Sequence, residues 1–262
     1  MKRSVRIMLG LSLPLGVMFL WWLATNYGEI PSQILPTPQA VWAVYMDREI
    51  AGKLFGHLLI SLRRVLIGFF AASIIGLLMG SLTGVSKTLQ AILLPTLTAI
   101  RQIPIIAWIP LLIFWTGIGE PAKIAVIILA AFFTVFVNTH AGISGMPVNF
   151  LEIAQLYKLS RVQTFILVYL PYALPNILTG LQLGLGISWM AGVASELISA
   201  TSGIGYYMND ARFFIRSDIM IACMLVIGFV GFFMNTVLIK LFEFITPWNV
   251  RERKGNGKGY SN

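Results

Sequence analysis

Long uncharged stretches alternate with short polar ones along the chain. The uncharged runs cover residues 7–28, 65–86, 102–119, 124–151, 162–195 and 219–239. A helix needs roughly 20 apolar residues to cross a bilayer core, so these runs allow five or six spans. Backbone groups in lipid must pair within their own segment, so such runs mean helices rather than strands. The predicted fold class is an all-α integral membrane protein with about six transmembrane helices.

Taken in order, the pattern predicts a first helix to about Ala24 behind Lys2, Arg3 and Arg6, uncleaved and starting in the cytoplasm. Residues 28–63 read as a polar connector with prolines 31, 36 and 38 and a short surface helix over Gln39 to Met46. Arg63 and Arg64 stand at the mouth of the second span, where contact with an anion competes with interfacial snorkelling. That span, about 65–85, carries Gly76, Gly80 and Gly84 at four-residue spacing, a face for close helix packing. The third span begins with Leu89 to Ile100 and is then broken by Arg101, Pro104 and Pro110; two prolines so close should kink or interrupt a helix. A charge at mid-membrane costs about 2.5–3.5 kcal/mol on insertion scales. Arg101 is therefore expected to face protein or an aqueous path, and structural and pathway roles both stay open.

Thr116 to Pro121 reads as a turn, 122–141 as the fourth span and 172–195 as the fifth. The stretch ELISATSGIGYYMNDARFFIRSD reads as an external loop bordered by Glu196 and Asp218, explained as capping or solvated groups. A last span, about 218–242, leads to the basic tail RERKGNGKGYSN. The chain thus divides into 1–63 (first helix and connector), 64–242 (membrane core) and 243–262 (tail). Between the fourth and fifth spans a polar knuckle, about 142–168, interrupts the apolar sequence. Asn149 with Glu152, and Ser160 with Gln163, show capping-box spacing. They predict a helix over Phe150 to Tyr157, a tight connector at Lys158–Leu159, and a second helix bent by Pro171 and Pro175.

Composition agrees. The 262 residues are 57% hydrophobic and 11% charged, with mean hydropathy +0.82; soluble domains carry about a quarter charged residues. The net charge of +9 reads as cationic flanks facing lipid and cytoplasm, not as a nucleic-acid surface. Cys223 is the only cysteine, so no intramolecular disulfide or multi-cysteine metal site exists. His57 and His140 are too few and too far apart to argue for a metal centre.

Catalytic signals are thin. Gly142-Ile143-Ser144-Gly145 matches a nucleophile pattern, with His140 near it. A serine nucleophile needs a histidine within hydrogen-bond reach, and the glycines and Pro147 predict that the helix is ending there. An intramembrane serine hydrolase using Ser144 is thus the alternative, weighed below a helix-terminal turn. No G-x-x-x-x-G-K-[ST] phosphate loop is present. A transporter, a channel or an assembly scaffold remains.

The knuckle resembles the cytoplasmic EAA loop of bacterial ABC importer permeases. Glu152-Ile153-Ala154 takes the E-A-A place, Val168-Tyr169-Leu170-Pro171 the closing place, and Lys158 stands where that family usually has glycine. The flanks resemble the nitrate/sulfonate/taurine branch: Arg101-Gln102-Ile103-Pro104, Trp108-Ile109-Pro110-Leu111, the TGIGE of 116–120, Ser188-Trp189 with Glu196, Gly203 to Tyr206, Asn209-Asp210-Ala211 and Pro247-Trp248. The likeness covers about residues 30–248.

The resemblance implies a type I ABC importer permease in the bacterial inner membrane, multi-pass, with both termini cytoplasmic. It implies a second permease copy, two ATP-binding subunits, an extracytoplasmic solute-binding protein, surrounding lipid, and no nucleic acid. The chain would be a pore subunit rather than an enzyme and bind no cofactor itself; ATP and Mg would sit on the partner subunit. Glu152, Ala154, Leu156, Tyr157 and Lys158 would couple to the ATPase, with Glu152 capping the helix and Ala154 and Leu156 offering a docking face. Arg101, Pro104, Pro110 and Glu196 would be pathway candidates, with Arg63 and Arg64 behind them. The implied solute is an aliphatic sulfonate or taurine, and nitrate next.

Overall fold

The structure, a computed structural model, describes residues 3–199 and 201–245. The tail therefore lies mostly outside the described residues, as do Pro247 and Trp248. Eleven α-helices and one π-helical turn make up almost all of what is described. In order they are α1 (Arg3–Tyr27), α2 (Pro38–Met46), α3 (Arg48–Val85), α4 (Lys87–Arg101), α5 (Ile105–Thr116), α6 (Glu120–Ser144), α7 (Val148–Leu156), α8 (Arg161–Thr164), the π turn (Phe165–Tyr169), α9 (Leu170–Ser199), α10 (Ile204–Phe213) and α11 (Ser217–Ile245).

Among the described residues four helical stretches are long and apolar enough to cross a membrane: Arg48–Val85, Glu120–Ser144, Arg161–Ile198 and Ser217–Phe244. The pair α4–α5, bent by 101°, makes a fifth if taken as one broken span. Helix α1 is 25 residues long and exposes apolar side chains from Leu13 to Leu20, which fits the expected first span. The count of about six is thus approximate.

Two compact units divide the chain. The first holds Met1–Ile60 with Thr201–Phe229. Helix α2 starts on Pro38 behind Thr37, whose hydroxyl accepts from the Ala40 N–H. It was expected at the surface, yet Val41 and Val44 are buried. The Tyr45 hydroxyl donates to the Ala222 carbonyl at 2.8 Å, and burial pushes its phenol above the ordinary range. Cys223 is buried beside it in sequence as a small packing residue. His57 stacks on Tyr207 with ring centroids 5.1 Å apart and accepts from the Gly203 N–H at 3.1 Å.

The second unit holds Ser61–Ala200 with Val230–Asn262, and α6 is its axis. Gly68, Gly76, Gly80 and Gly84, with fully buried Ala72 among them, form a four-spaced row on α3. A Cβ at Gly68 would lie 2.5 Å from Ile127, at Gly76 2.9 Å from Val135, at Gly80 2.7 Å from Thr139, and at Gly84 2.7 Å from Ile143. The partners climb α6 in step with α3, so the two helices run parallel. Gly180, Gly184 and Gly192 form a matching row on α9. Their absent Cβ atoms would meet Asn138, Val135 and, for Gly192, Val65 and Ile127. The α6 partners here descend, so α9 runs antiparallel to α6. Small residues let helices approach where lipid offers no hydrophobic drive for association.

Four expectations are corrected. The connector ends at Asp47, because Arg48 to Arg64 is helical despite its charges. The supposed external loop is mostly helix, the end of α9 followed by α10. The second helix of the knuckle is no separate element: α8 runs through the π turn into α9, and Arg161–Ile198 is one span. The helix around Ser144 does not end at Gly142 but continues to Ser144. Pro104 and Pro110 do break the third span: Pro104 caps α5 in an extended conformation, and Pro110 lies within α5.

Candidate functional site

Helix α7 and the turn after it form the knuckle. Its start differs from the expected box. Pro147 is the N-cap, with no side-chain cap bond, so the helix begins before Asn149 and Glu152 falls in its second turn, exposed. Glu152 does not cap it. The Ser160 box does form: the Ser160 hydroxyl accepts from the Gln163 N–H at 3.3 Å, and the Gln163 side-chain oxygen accepts from the Ser160 N–H at 2.8 Å.

The end of α7 is a Schellman motif. The Lys158 N–H donates to the Gln155 carbonyl at 2.9 Å and the Leu159 N–H to the Ala154 carbonyl at 3.0 Å. That pattern places Lys158 at the position glycine favours, and its φ is +52°. Lysine therefore makes the same left-handed turn that glycine makes without a Cβ penalty.

Ala154 is 3% exposed, so it cannot be part of an outward docking face as expected. The reason is helical period: Ala154 and Leu156 are two apart and point to different sides. The outward apolar stripe is Ile153, Leu156 and Tyr157, at i, i+3 and i+4, with Leu156 81% and Tyr157 78% exposed. The inner side is anchored. The Phe150 ring packs on Tyr172 with centroids 5.8 Å apart, and the Tyr172 hydroxyl donates to the Gly145 carbonyl at 3.1 Å. One residue of α9 thus ties α7 to the end of α6. Beneath it Ile143, Ala173 and Ile177 form a buried cluster packed by Phe165 and Tyr169 of the π turn.

A second polar feature lies at the opposite end of α6, and sequence reasoning missed it. Arg64, 3% exposed, is not snorkelling. Its Nε donates to Glu120 Oε2 at 2.6 Å, its Nη2 to Glu120 Oε1, and its Nη1 to Glu196 Oε1 at 2.7 Å. Ser61 Oγ lies 2.8 Å from both oxygens of Glu196. The Lys123 ammonium, also buried, is 3.3 Å from Glu120 Oε1. Glu196 is therefore no solvated loop border: it is 2% exposed, inside α9, and ion-paired. The available signal was that charges within apolar helices seek partners. Sequence separations of 56 and 132 residues hid which ones.

The remaining candidates are dispersed. Arg101 is the exposed last residue of α4. The structure does not bring it to the Arg64 cluster's ion pairs. His140 Nδ1 lies 3.2 Å from Thr83 Oγ1 on α3, while Ser144 is exposed at the end of α6. The histidine a nucleophile would need is engaged elsewhere, and the hydrolase reading has no support.

Comparison with known proteins agrees with this geometry. The family model of the binding-protein-dependent transport system inner membrane component matches residues 50–250. A Bacillus subtilis (strain 168) chain named as a candidate aliphatic sulfonates transport permease protein, SsuC, is 36% identical over 92% of this chain and 87% of its own length. The taurine transport system permease protein TauC of Escherichia coli (strain K12) is 37% identical, covering 87% and 85% of the two chains. The nitrate import permease protein NrtB of Leptolyngbya laminosa is 31% identical over 94% and 89%. Among solved structures, the inward-facing MetNI methionine ABC transporter is similar with a TM-score of 0.58 at 19% identity, covering 74% of this chain and 99% of that one. That likeness speaks for the fold alone. With a family model over most of its length and relatives above 30% identity, the chain belongs to the inner-membrane permease components of binding-protein-dependent ABC transport systems, in the branch that includes the sulfonate, taurine and nitrate permeases.

Proposed function

We propose that this chain is the pore subunit of an ATP-driven importer for small oxyanions, an aliphatic sulfonate or taurine first and nitrate next. The names of its relatives support that solute class. Two copies would form the pore, two ATP-binding subunits carrying ATP and Mg would dock on the cytoplasmic side, and an extracytoplasmic binding protein would deliver solute. The chain is a transport component, and hydrolysis belongs to the docked subunits. Both termini would then be cytoplasmic, on the same side as α7.

The observation that carries the coupling reading is the Ile153–Leu156–Tyr157 stripe on a short helix closed at its end and anchored at its start. An apolar i, i+3, i+4 face is the usual form of a helix that docks in a groove. The stiff attachment matters as much as the face. Motion of a docked α7 reaches α6 and α9 through Tyr172 and Gly145 rather than being lost in a loose loop. Lys158 and exposed Glu152 would border the docked stripe with charge. Arg101, beside the break before Pro104, and Pro110 within α5 remain proposed pathway elements.

The test is replacement of the stripe. Leu156→Asp with Tyr157→Asp should reduce ATP-driven uptake of taurine or ethanesulfonate at least about tenfold, the equivalent of 1.4 kcal/mol of docking energy, while permease in the membrane stays unchanged. Normal uptake and normal retention of the ATP-binding subunit would contradict it.

A further inference from the structure

The two carboxylates on Arg64 are held unequally. Glu196 is buried, 1% exposed at its side chain, and held again by Ser61. The Glu120 side chain is 54% exposed. It is the first residue of α6, after a connection in which Gly117 and Gly119 have φ of +81° and +148°. Such glycine joints allow a helix start to re-orient with little steric penalty. Yet the more exposed carboxylate takes the better geometry: Glu120 receives two parallel N–H bonds from the Arg64 fork, Nε to one oxygen and Nη2 to the other. That fork fits any planar or trigonal group presenting two oxygens, including sulfonate, nitrate and carboxylate.

We propose that the Arg64 fork is an oxyanion-binding site, occupied in this structure by the Glu120 carboxylate and vacated by it when the transported monoanion arrives. The inference rests on the oxyanion reading above and names the site on this chain. Charge supports a single negative charge as the ligand. With Glu120 in place, Arg64 and Lys123 balance Glu120 and Glu196. With Glu120 turned away, two cations face Glu196 alone, and one monoanion restores neutrality. A dianion such as sulfate leaves an excess negative charge beside buried Glu196. An unpaired buried guanidinium is strongly disfavoured, so exchange is a replacement of one anion by another and never an empty state. The side chain of Glu120 thus acts as an internal competitor, lowering the apparent affinity by the fraction of time it occupies the fork.

Equilibrium binding of ethanesulfonate, nitrate and sulfate to the purified full-length permease in lipid nanodiscs tests this. Glu120→Gln should bind ethanesulfonate and nitrate about tenfold more tightly than the native chain, the expected gain when a competitor holding the site roughly nine-tenths of the time is neutralised. Arg64→Gln should abolish both, and sulfate should bind weakly to all three proteins. Should either variant misfold, carbodiimide labelling of Glu120 in the native chain, read by mass spectrometry, gives the same answer. Ethanesulfonate should speed labelling several-fold over the neutral isostere dimethyl sulfone. Equal affinities in native and Glu120→Gln chains, binding that survives Arg64→Gln, preferred binding of sulfate, or an unchanged labelling rate would each overturn the exchange. Because no binding protein or ATPase is present, failure here with oxyanion uptake intact removes the exchange alone. Uptake that fails while the exchange holds removes only the importer reading.

Discussion

Lys158 and Ile215 both adopt left-handed backbone, with φ of +52° and +55°. Both stand at the same place in a Schellman turn. The Ile215 N–H donates to the Arg212 carbonyl at 3.1 Å, and the Arg216 N–H to the Ala211 carbonyl at 2.9 Å. A left-handed residue with a Cβ costs roughly 1–2 kcal/mol, more when β-branched. Lys158→Gly and Ile215→Gly should therefore each raise the melting temperature of the permease in detergent, corresponding to a gain of about 1 kcal/mol. A lower melting temperature for both would contradict the strain argument. The lysine was legible in the sequence as a departure from the glycine usual there, because cap positions carry their own residue preferences. The Glu152 cap was not legible, since the same spacing fits a helix starting at Asn149, and the fixed φ of Pro147 starts it sooner. Arg64 and Glu196 also act at this scale. Glu196→Ala leaves a buried guanidinium short of a partner, and should destabilise the fold by about 3–5 kcal/mol, read as a large fall in melting temperature. An unaffected melting temperature would mean that the buried pair carries no weight.

Among the elements, α6 carries the second unit because two rows of small residues let α3 and α9 close on it. The Gly80 position is the sharpest test. Its missing Cβ would lie 2.7 Å from Thr139 Cβ and 2.8 Å from the Phe136 carbonyl oxygen, and a backbone atom cannot step aside cheaply. Gly80→Ala should cost about 1–3 kcal/mol by overpacking, whereas Gly56→Ala, with nothing within 4 Å, should be neutral or slightly stabilising. Parallel thermal unfolding of the two variants checks this, and equal effects would refute the packing account. The glycine spacing on α3 was visible in the sequence; its partner was not, since period marks a face and not what covers it. The first third of α3 was missed for a different reason. At 38 residues the helix is roughly 57 Å long, far beyond the ~30 Å bilayer core. Its start is charged and lacks the apolar run by which the spans were found. The merger of α8 with α9 was hidden by the Ser160 capping signal, which is real and marks a start, but of a long helix rather than a short one.

At the scale of the whole molecule, hydropathy alone set the class, because lipid permits few architectures and a long apolar run is hard to read otherwise. Family membership followed from the knuckle and its flanks, where the sequence is polar enough to be specific. What lay beyond reach were contacts between distant segments: the Arg64 cluster, the His140–Thr83 pair and the Tyr172 tie. Each depends on which helix faces which, and no local pattern encodes that. The central claim is that an ATP-driven motor grips α7 to move oxyanions through this chain. Proteoliposomes containing the permease, an ATP-binding subunit and a binding protein test it most directly, with labelled taurine or ethanesulfonate supplied on the binding-protein side. The account predicts accumulation that requires ATP hydrolysis and is lost in the Leu156→Asp, Tyr157→Asp double variant. Accumulation without ATP, or accumulation that the double variant leaves intact, would contradict it.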